Sequence, residues 1–338
     1  MLRIAILGAG RIAQIHAKSA YANQECELVL IADPWKERVD QLAEKFKCEA
    51  VYDYYDALNR EDVDAVVIAT ATDFHIDLMI HAIKNKKPVL CEKPIDLDFE
   101  RSISVVESIS QLDGKVMMAF NRRFDEDTVA LKEAINQREI GEVRQVIITS
   151  RDPGMQSVEY LKTSGGIFKD MTIHDFDMAR NLLGEEPIEI YASASRLVDE
   201  ELSTIDDYDT CSIVLKTATG KQCIINNCRE AVYGYDQRLE VLGETGLLKT
   251  ENHLPVTLIK HTSDTTGAQK PYLNFFLERY IDSYEKELGV FVTSLVEDKP
   301  FPTTLFDGLQ ALYLAVCAME SVKTGRTISV NPDGPRLQ

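Results

Sequence analysis

The chain has 338 residues and a formal net charge of -18 at pH 7, because 55 Asp and Glu residues outnumber 37 Lys and Arg residues. Its length and its 45% content of hydrophobic residues favour two domains over a single ordinary core. An acidic chain repels phosphate backbones and anionic lipid, so composition argues against nucleic acid and membranes as partners. The longest apolar runs, such as Leu312 to Met319, are too short to span a bilayer.

The cysteine content predicts a reducing environment. Seven cysteines occur without a C-x-x-C pair. An odd, scattered set is typical of reduced thiols and predicts a cytoplasmic protein. The apolar stretch from Leu2 to Leu7 is too short for the hydrophobic region of a signal peptide, so we expect no signal peptide.

From Met1 to about Phe120, short β-branched runs alternate with longer segments of helical spacing. This alternation predicts an α/β domain with a doubly wound parallel sheet of the Rossmann type. The predicted strands are Arg3–Leu7, Leu28–Ala32, Ala65–Ala69, Val89–Cys91 and Val116–Ala119. The predicted helices are Ile12–Tyr21, Lys36–Phe46, Asp73–Lys84 and Phe99–Gln111.

After Phe120 strands dominate, and hairpin-type turns join several of them, which predicts an α+β domain with a large, mainly antiparallel sheet. The predicted strands are Val143–Ser150, Ile188–Leu197, Thr210–Lys216, Gln222–Asn227, Arg238–Gly243 and Thr257–His261. The predicted helices are Thr128–Arg138, Gly166–Leu183, Tyr272–Glu297 and Thr304–Lys323. We therefore predict a Rossmann domain over residues 1–122 and a second domain over residues 123–338.

A glycine-rich turn of the form G-x-G-x-x-A follows the first predicted strand. Gly8 and Gly10 permit a tight turn and the close approach of a pyrophosphate, and Arg11 and Ile12 open the following helix. Backbone N–H groups and the helix dipole favour an anion there. The motif alone also fits a glycine turn in another kind of α/β protein.

Asp33 ends the second predicted strand, where an acidic side chain accepts hydrogen bonds from the adenosine ribose. A carboxylate repels a 2′-phosphate, and neither Pro34 nor Trp35 can receive one. We therefore predict NAD rather than NADP. Asp33 could alternatively cap the next helix, with Pro34 at its first position.

Two further strand ends fall on the edge where open α/β sheets bind ligands. Thr70 follows the third strand, while Glu92 and Lys93 follow the fourth, and we expect all three to contact the cofactor. A lysine partly shielded from water can also bind or titrate with a substrate oxygen. Three histidines of the predicted helices are interpreted as packing or capping residues: His16, His75 and His81.

Asp170 and His174 are four residues apart in a predicted helix that begins at paired glycines, so we expect both on one face. A carboxylate there can fix the tautomer of an imidazole, as acid–base chemistry requires. Two other interpretations stay open. One is a metal site that also uses Asp177, and the other is a purely structural His–Asp contact.

Three smaller groups carry donors and acceptors that suit a polyol: Asn121-Arg122-Arg123, Arg151-Asp152-Pro153 and Tyr233-Gly234-Tyr235-Asp236. Arginines near the domain junction also fit interdomain salt bridges. The aromatic residues around Tyr235 equally fit packing on the sheet.

Taken together, these residues resemble the Gfo/Idh/MocA oxidoreductase family over nearly the whole chain. The most specific segments are Glu92-Lys93-Pro94, residues 120–125, residues 165–177 and residues 233–236. The resemblance implies that His174 accepts the proton of the reacting hydroxyl, supported by Asp170. It also implies that Arg122, Asp152 and Tyr235 contact the substrate. It implies that Lys93 binds the same oxygen and the cofactor ribose, and that a cis peptide precedes Pro94.

The same resemblance implies a reaction and an assembly. Within the family, this combination resembles the enzymes that oxidise myo-inositol to scyllo-inosose with NAD. Because no second His/Asp/Glu cluster at ligand spacing stands out, we predict no metal. It implies a substrate-binding second domain whose open sheet face builds a homotetramer. Two alternatives remain: a dehydrogenase or reductase of a related sugar, such as an aldose or scyllo-inositol, and a non-catalytic NAD-sensing protein.

Overall fold

In a computed structural model that describes residues 1–335, the chain forms two compact units. The first contains Met1–Asp125 and Asp282–Tyr313, and the second contains Glu126–Ile281 and Leu314–Asp333. The sequence predicts contiguous domains, whereas the chain returns to the first unit after Ile281. It returns because Leu288, Phe291 and Val292 belong to the same buried apolar cluster as the first sheet.

The first unit contains a six-stranded sheet in which every neighbouring pair is parallel. Its strands are β1 (Leu2–Leu7), β2 (Cys26–Ala32), β3 (Glu49–Val51), β4 (Ala65–Ile68), β5 (Val89–Glu92) and β6 (Val116–Ala119). The order β3-β2-β1-β4-β5-β6 is that of a dinucleotide-binding Rossmann sheet. Strands β4, β5 and β6 are buried throughout, as a sheet covered on both faces requires.

Helices cover this sheet. They are α1 (Arg11–Ala22), α2 (Lys36–Phe46), α3 (Tyr54–Leu58), α4 (His75–Lys84), α5 (Phe99–Gln111) and, later in the chain, α11 (Ile281–Val296) and the start of α12 (Leu305–Thr324). The parallel doubly wound prediction is confirmed. Strand β3 and helix α3 were not predicted, because three and five residues are too short to show a period.

The second unit contains a seven-stranded sheet in the order β12-β11-β7-β10-β9-β8-β13. Its strands are β7 (Val143–Arg151), β8 (Pro187–Ser195), β9 (Thr210–Thr217), β10 (Gln222–Cys228), β11 (Asp236–Gly243), β12 (Leu247–Lys249) and β13 (Ile328–Ser329). Only the β7–β10 pair is parallel among the pairings described, so the mainly antiparallel prediction is confirmed. Its helices are α6 (Glu126–Asn136), α7 (Val158–Ser164), α8 (Gly166–Asp170), α9 (Ile173–Leu183) and α10 (Phe276–Arg279).

Three predictions are wrong here. The single helix Tyr272–Glu297 is divided at Tyr280 into α10 and α11. The continuous helix Gly166–Leu183 is interrupted between α8 and α9, because the amides of Met171 and Thr172 both donate to the carbonyl oxygen of Ile167. The strand Thr257–His261 is replaced by one isolated bridge between Lys260 and Ala268. Residues 255–267 are exposed, so apolar alternation there has no neighbouring strand to pair with.

Helix α12 is long and apolar enough, by length and composition alone, to cross a membrane. Most of that stretch is buried inside the protein. A helix that is apolar on all sides and buried is typical of a protein core.

Candidate active site

The glycine turn between β1 and α1 has one position that only glycine can occupy and one that is open. Gly8 has a φ of +113°, and a Cβ atom there would lie 2.4 Å from the carbonyl oxygen of Ala69. At Gly10, nothing lies within 4 Å of the Cβ position. Helix α1 begins there without a capping side chain. The turn thus fits the pyrophosphate of a dinucleotide, which the first-turn amides of Arg11 and Ile12 would face.

Asp33 is tied to this turn. Its Oδ2 accepts a 2.8 Å hydrogen bond from the amide of Ala9, and its Oδ1 accepts one of 2.8 Å from the amide of Trp35. Helix α2 begins at Lys36 with Trp35 as its capping residue. The alternative role of Asp33 as the helix cap is therefore wrong, and its role at the ribose stays a prediction.

The end of β4 and the turn after β5 are joined by a buried histidine. Nδ1 of His75 lies 2.8 Å from the carbonyl oxygen of Pro94, and Nε2 lies 3.3 Å from that of Thr70. Burial lowers the pKa of His75. Both neighbours are carbonyl oxygens, which only accept, and the neutral ring has one N–H group. The shorter contact assigns it to Nδ1, which donates a hydrogen bond to Pro94. This arrangement fits the packing role predicted for His75.

Lys93 follows the last residue of β5 and is half-buried. The Lys93–Pro94 peptide is cis, as the resemblance implies. Glu92 sends Oε1 to within 2.8 Å of Nε2 of His16 on α1. One oxygen of Glu92 thus faces the interior of the unit, and its predicted contact with the cofactor stays a prediction.

In the second unit, two glycines in left-handed conformations precede α8. Gly165 and Gly166 have φ angles of 85° and 81°. A Cβ atom at Gly166 would lie 2.9 Å from Oδ1 of Asp207, which accepts a 2.7 Å hydrogen bond from the amide of Ile167. The turn therefore needs glycine for its conformation and for the close approach of Asp207.

The carboxylate of Asp170 is fixed from two sides. Oδ2 lies 3.3 Å from Nη1 of Arg229, and Oδ1 accepts a 3.1 Å hydrogen bond from the hydroxyl of Tyr160. Arg229 is 1% exposed and also approaches Asp207 at 3.4 Å. Two carboxylates thus compensate a buried guanidinium, as a buried charge requires.

His174 lies in the first turn of α9, and its Nδ1 is buried. Its sequence neighbours are held by a buried polar network. Thr172 donates a 2.7 Å hydrogen bond to Oδ1 of Asn227, and Asp175 accepts one of 2.7 Å from each of Ser150 and Asn227. The network fixes the start of the helix that carries His174.

Sequence reasoning missed Asn227, Ser150, Asp175 and Arg229. A usable signal exists for Asn227, because β10 alternates buried and half-buried residues and places this amide in the buried phase. A polar residue at such a position needs a hydrogen-bond partner inside the protein.

The three residues predicted to contact the substrate differ in their location and in their contacts. Arg122 lies in a short turn and is half-buried, whereas its neighbour Arg123 pairs with Asp307 at 2.9 Å. Asp152 follows β7, and its backbone bonds to Cys228 and Ala231. Tyr235 is buried, edge-on to the ring of Tyr280 at 6.0 Å. Their contacts with substrate stay predictions.

Within residues 1–335, no group of three or more His, Cys, Asp and Glu side chains could hold a metal ion. Asp177, the third member of the alternative metal site, lies 3.7 Å from Arg180. The seven cysteines are all free thiols, at positions 26, 48, 91, 211, 223, 228 and 317.

A Rossmann sheet with an open glycine turn, followed by an α+β unit that carries a fixed carboxylate and a histidine, is typical of a dinucleotide-dependent oxidoreductase. Residues 2–120 match the model of an oxidoreductase family with an NAD-binding Rossmann fold, and residues 128–249 match the GFO/IDH/MocA C-terminal domain. The chain belongs to the Gfo/Idh/MocA family of oxidoreductases. The predicted family and cofactor, NAD, are confirmed.

Relatives resemble the chain over nearly its whole length. Inositol 2-dehydrogenase of Rhizobium meliloti is 45% identical over 97% of this chain and 99% of its own length. The structure of a myo-inositol dehydrogenase from Corynebacterium glutamicum is 42% identical, with a TM-score of 0.95 over 98% of this chain and 99% of the other. A scyllo-inositol dehydrogenase from Lactobacillus casei, with bound NAD(H) and scyllo-inositol, is 26% identical, with a TM-score of 0.90 over 97% and 99%.

Proposed function

We propose that this protein oxidises myo-inositol to scyllo-inosose with NAD. The observation that carries the proposal is the 45% identity, over 97% of the chain, to the inositol 2-dehydrogenase of Rhizobium meliloti. The open glycine turn of the first unit and the fixed Asp170 carboxylate of the second support the same chemistry.

Oxidation of a secondary alcohol removes a hydride from carbon and a proton from oxygen, and leaves a ketone. NAD supplies the hydride acceptor when it is bound. His174 accepts the hydroxyl proton as the O–H bond breaks and the C=O bond forms. Because Nδ1 of His174 is buried, Nε2 is the nitrogen that takes the proton.

Asp170 and Lys93 support this proton transfer electrostatically. The carboxylate of Asp170, held by Arg229 and Tyr160, stabilises the positive charge that develops on His174. Lys93 donates a hydrogen bond to the reacting oxygen and stabilises the negative charge that develops there. Arg122, Asp152 and Tyr235 orient the other hydroxyl groups of the polyol.

The chain's own groups hold the cofactor. The amides from Gly8 to Ile12 bind the pyrophosphate, and Asp33 accepts hydrogen bonds from the adenosine ribose. Thr70 and Glu92 contact the cofactor from the ends of β4 and β5. This binding depends on local backbone groups, since a net charge of -18 does not attract a dinucleotide.

The test follows NADH absorbance when purified protein and NAD are incubated with myo-inositol, scyllo-inositol, glucose and galactose. We expect the highest kcat/KM with myo-inositol. The Lactobacillus casei relative makes scyllo-inositol the second candidate substrate. Faster turnover of scyllo-inositol or an aldose overturns the choice of substrate. Binding of NADH without turnover of any compound, in either direction, supports the non-catalytic NAD-sensing protein instead.

We also propose a cytoplasmic homotetramer built on the open face of the second sheet. Register partners on four strands form an apolar row there: Tyr191, Val214, Ile224 and Ile147. Tyr191 and Val214 are exposed within the single chain, and such a row favours burial by another subunit. Light scattering should give four chains per particle, and Val214→Glu should give smaller particles while the exposed control Lys84→Glu does not.

A further inference from the structure

A buried polar cluster lies within the first unit, formed by His16 of α1, Glu92 of β5, and Tyr284 and Glu287 of α11. His16 and Glu287 are 0% exposed, and Glu92 and Tyr284 are also buried. Sequence reasoning treated His16 as a packing residue and did not consider Glu287.

The cluster has a defined geometry around His16. Its Nε2 lies 2.8 Å from Oε1 of Glu92. Its ring stands edge-on to Tyr284, with centroids 5.7 Å apart and planes at 89°. A carboxylate oxygen accepts, so Nε2 of His16 carries the proton and donates to Glu92. The imidazole therefore has one orientation fixed by two neighbours.

Glu287 follows Tyr284 by three residues on α11, so both lie on one buried face of that helix. Neither side-chain oxygen of Glu287 has a hydrogen-bond partner among residues 1–335. Its helix neighbours Leu288 and Phe291 belong to the apolar core of the unit. An unpaired buried carboxylate is far costlier than a buried neutral acid, so the geometry favours the protonated form. Burial, followed by the charge of Glu92, raises the pKa of Glu287 well above its ordinary value, in agreement.

The cluster is connected to the strand end that carries Lys93. Glu92 is the last residue of β5 and directly precedes Lys93. On the other side of Lys93, the carbonyl oxygen of Pro94 accepts the hydrogen bond from His75. The residues flanking Lys93 are therefore held from two helices, α1 through His16 and α4 through His75.

We propose that His16 is a positioning residue that acts on Lys93 through Glu92, and that Glu287 is a neutral acid that leaves the negative charge of the cluster on Glu92. The proposal rests on the role of Lys93 in the proposed function. A neutral acid beside Glu92 avoids a second buried carboxylate, which would weaken the His16–Glu92 contact by like-charge repulsion. An error of about 1 Å in the position of a catalytic group can cost about 100-fold in rate.

The test of His16 compares three variants in steady-state kinetics with NAD and myo-inositol. His16→Ala should lower kcat by roughly tenfold or more, and KM for NAD should rise by a smaller factor because Glu92 also contacts the cofactor in the proposed function. His16→Gln, whose amide can still donate to Glu92, should recover most of the loss. Leu288→Ala, which removes packing beside the cluster, should lower Tm while kcat stays within about twofold of the wild type.

Each outcome has a distinct meaning. Unchanged kcat in His16→Ala, equal losses in His16→Ala and Leu288→Ala, or no recovery in His16→Gln overturns the positioning role. If His16→Ala does not fold, His16→Leu, which fills the same space but cannot donate to Glu92, replaces it, and a kcat equal to that of His16→Gln overturns the positioning role. A wild type that turns over no polyol overturns the proposed function itself.

The state of Glu287 has its own readout, which needs no turnover. The infrared spectrum of the wild type at neutral pH should contain the carbonyl stretch of a protonated carboxylic acid. This band should be lost in Glu287→Gln, and retained in the control Glu285→Gln, whose side chain is 40% exposed and pairs with Lys18. A wild-type spectrum without a band that depends on Glu287 overturns the neutral acid.

Discussion

The amide of Ala9 donates a 2.8 Å hydrogen bond to Oδ2 of Asp33, and so joins the glycine turn to the end of β2. The other oxygen of Asp33 accepts from the amide of Trp35. The carboxylate that we assign to the ribose is thus oriented by the chain itself. A side chain that is already oriented loses less conformational entropy when the cofactor binds.

Asp33→Ser tests the preference for NAD. Serine removes the charge that repels a 2′-phosphate, and Arg38, whose guanidinium stacks 3.6 Å over Trp35, lies in the first turn of α2. We expect the ratio of kcat/KM for NAD to that for NADP to fall by roughly tenfold or more, since like charges in contact cost several kcal/mol. The exposed control Asp40→Ser should leave the ratio unchanged, and an unchanged ratio in Asp33→Ser contradicts the assignment.

Gly8→Ala should lower the stability of the protein, whereas Gly10→Ala should leave stability unchanged and weaken the binding of NADH. At Gly8 the new methyl group meets the carbonyl of Ala69 and the φ is positive, so we expect a loss of at least about 2 kcal/mol in the free energy of unfolding. At Gly10 the space is open, so Tm should hold while the Kd for NADH rises roughly tenfold or more. Equal Kd values for Gly10→Ala and the wild type would place the pyrophosphate elsewhere.

Lys93→Met removes the ammonium group and retains most of the side-chain volume. If Lys93 stabilises the reacting oxygen, kcat/KM for the polyol should fall by about 10²- to 10⁴-fold, the range of a positioned acid–base group. Unfolding curves should show that the variant remains folded. The matched control is Lys84→Met, an exposed lysine at the end of α4. Similar rates for the two variants would exclude the proposed role.

Glu287 should make the free energy of unfolding depend on pH. Its folded pKa is raised above the ordinary value of 4.5 by burial and by Glu92, so the native state keeps a proton that the unfolded chain releases. The contribution of Glu287 to the free energy of unfolding is fully present below about pH 4.5, and it is lost as the pH rises through the folded pKa. In urea titrations, the free energy of unfolding of Glu287→Gln should equal that of the wild type below about pH 4.5. At higher pH it should exceed the wild-type value by a growing margin. Parallel curves would contradict the raised pKa.

The features that the sequence predicts are those with a local signal. The turn at Gly8 and Gly10, the buried strands and most helices follow from period and spacing alone. The cis peptide before Pro94 was implied by the family resemblance, and the structure contains it.

The contacts that orient the functional side chains have no local signal. His16 and Glu92 are 76 residues apart, Asp170 and Arg229 are 59 apart, and Asp175 and Asn227 are 52 apart. These pairs meet only when helices dock on a sheet, and a period along the chain does not specify which pairs do so. The break between α8 and α9 also involves a distant contact, since the hydroxyl of Thr172, whose amide donates to Ile167, bonds to Asn227 on β10.

The central claim is that hydride leaves the carbon of the 2-hydroxyl of myo-inositol and reaches NAD. In the most direct test, the protein is incubated with NAD and myo-inositol deuterated only at that carbon, and the mass of the reduced cofactor is measured by mass spectrometry. We expect NADH that carries a single deuterium, formed together with scyllo-inosose. NADH of ordinary mass, or no reduced cofactor from an enzyme that binds NAD, would contradict the proposed reaction.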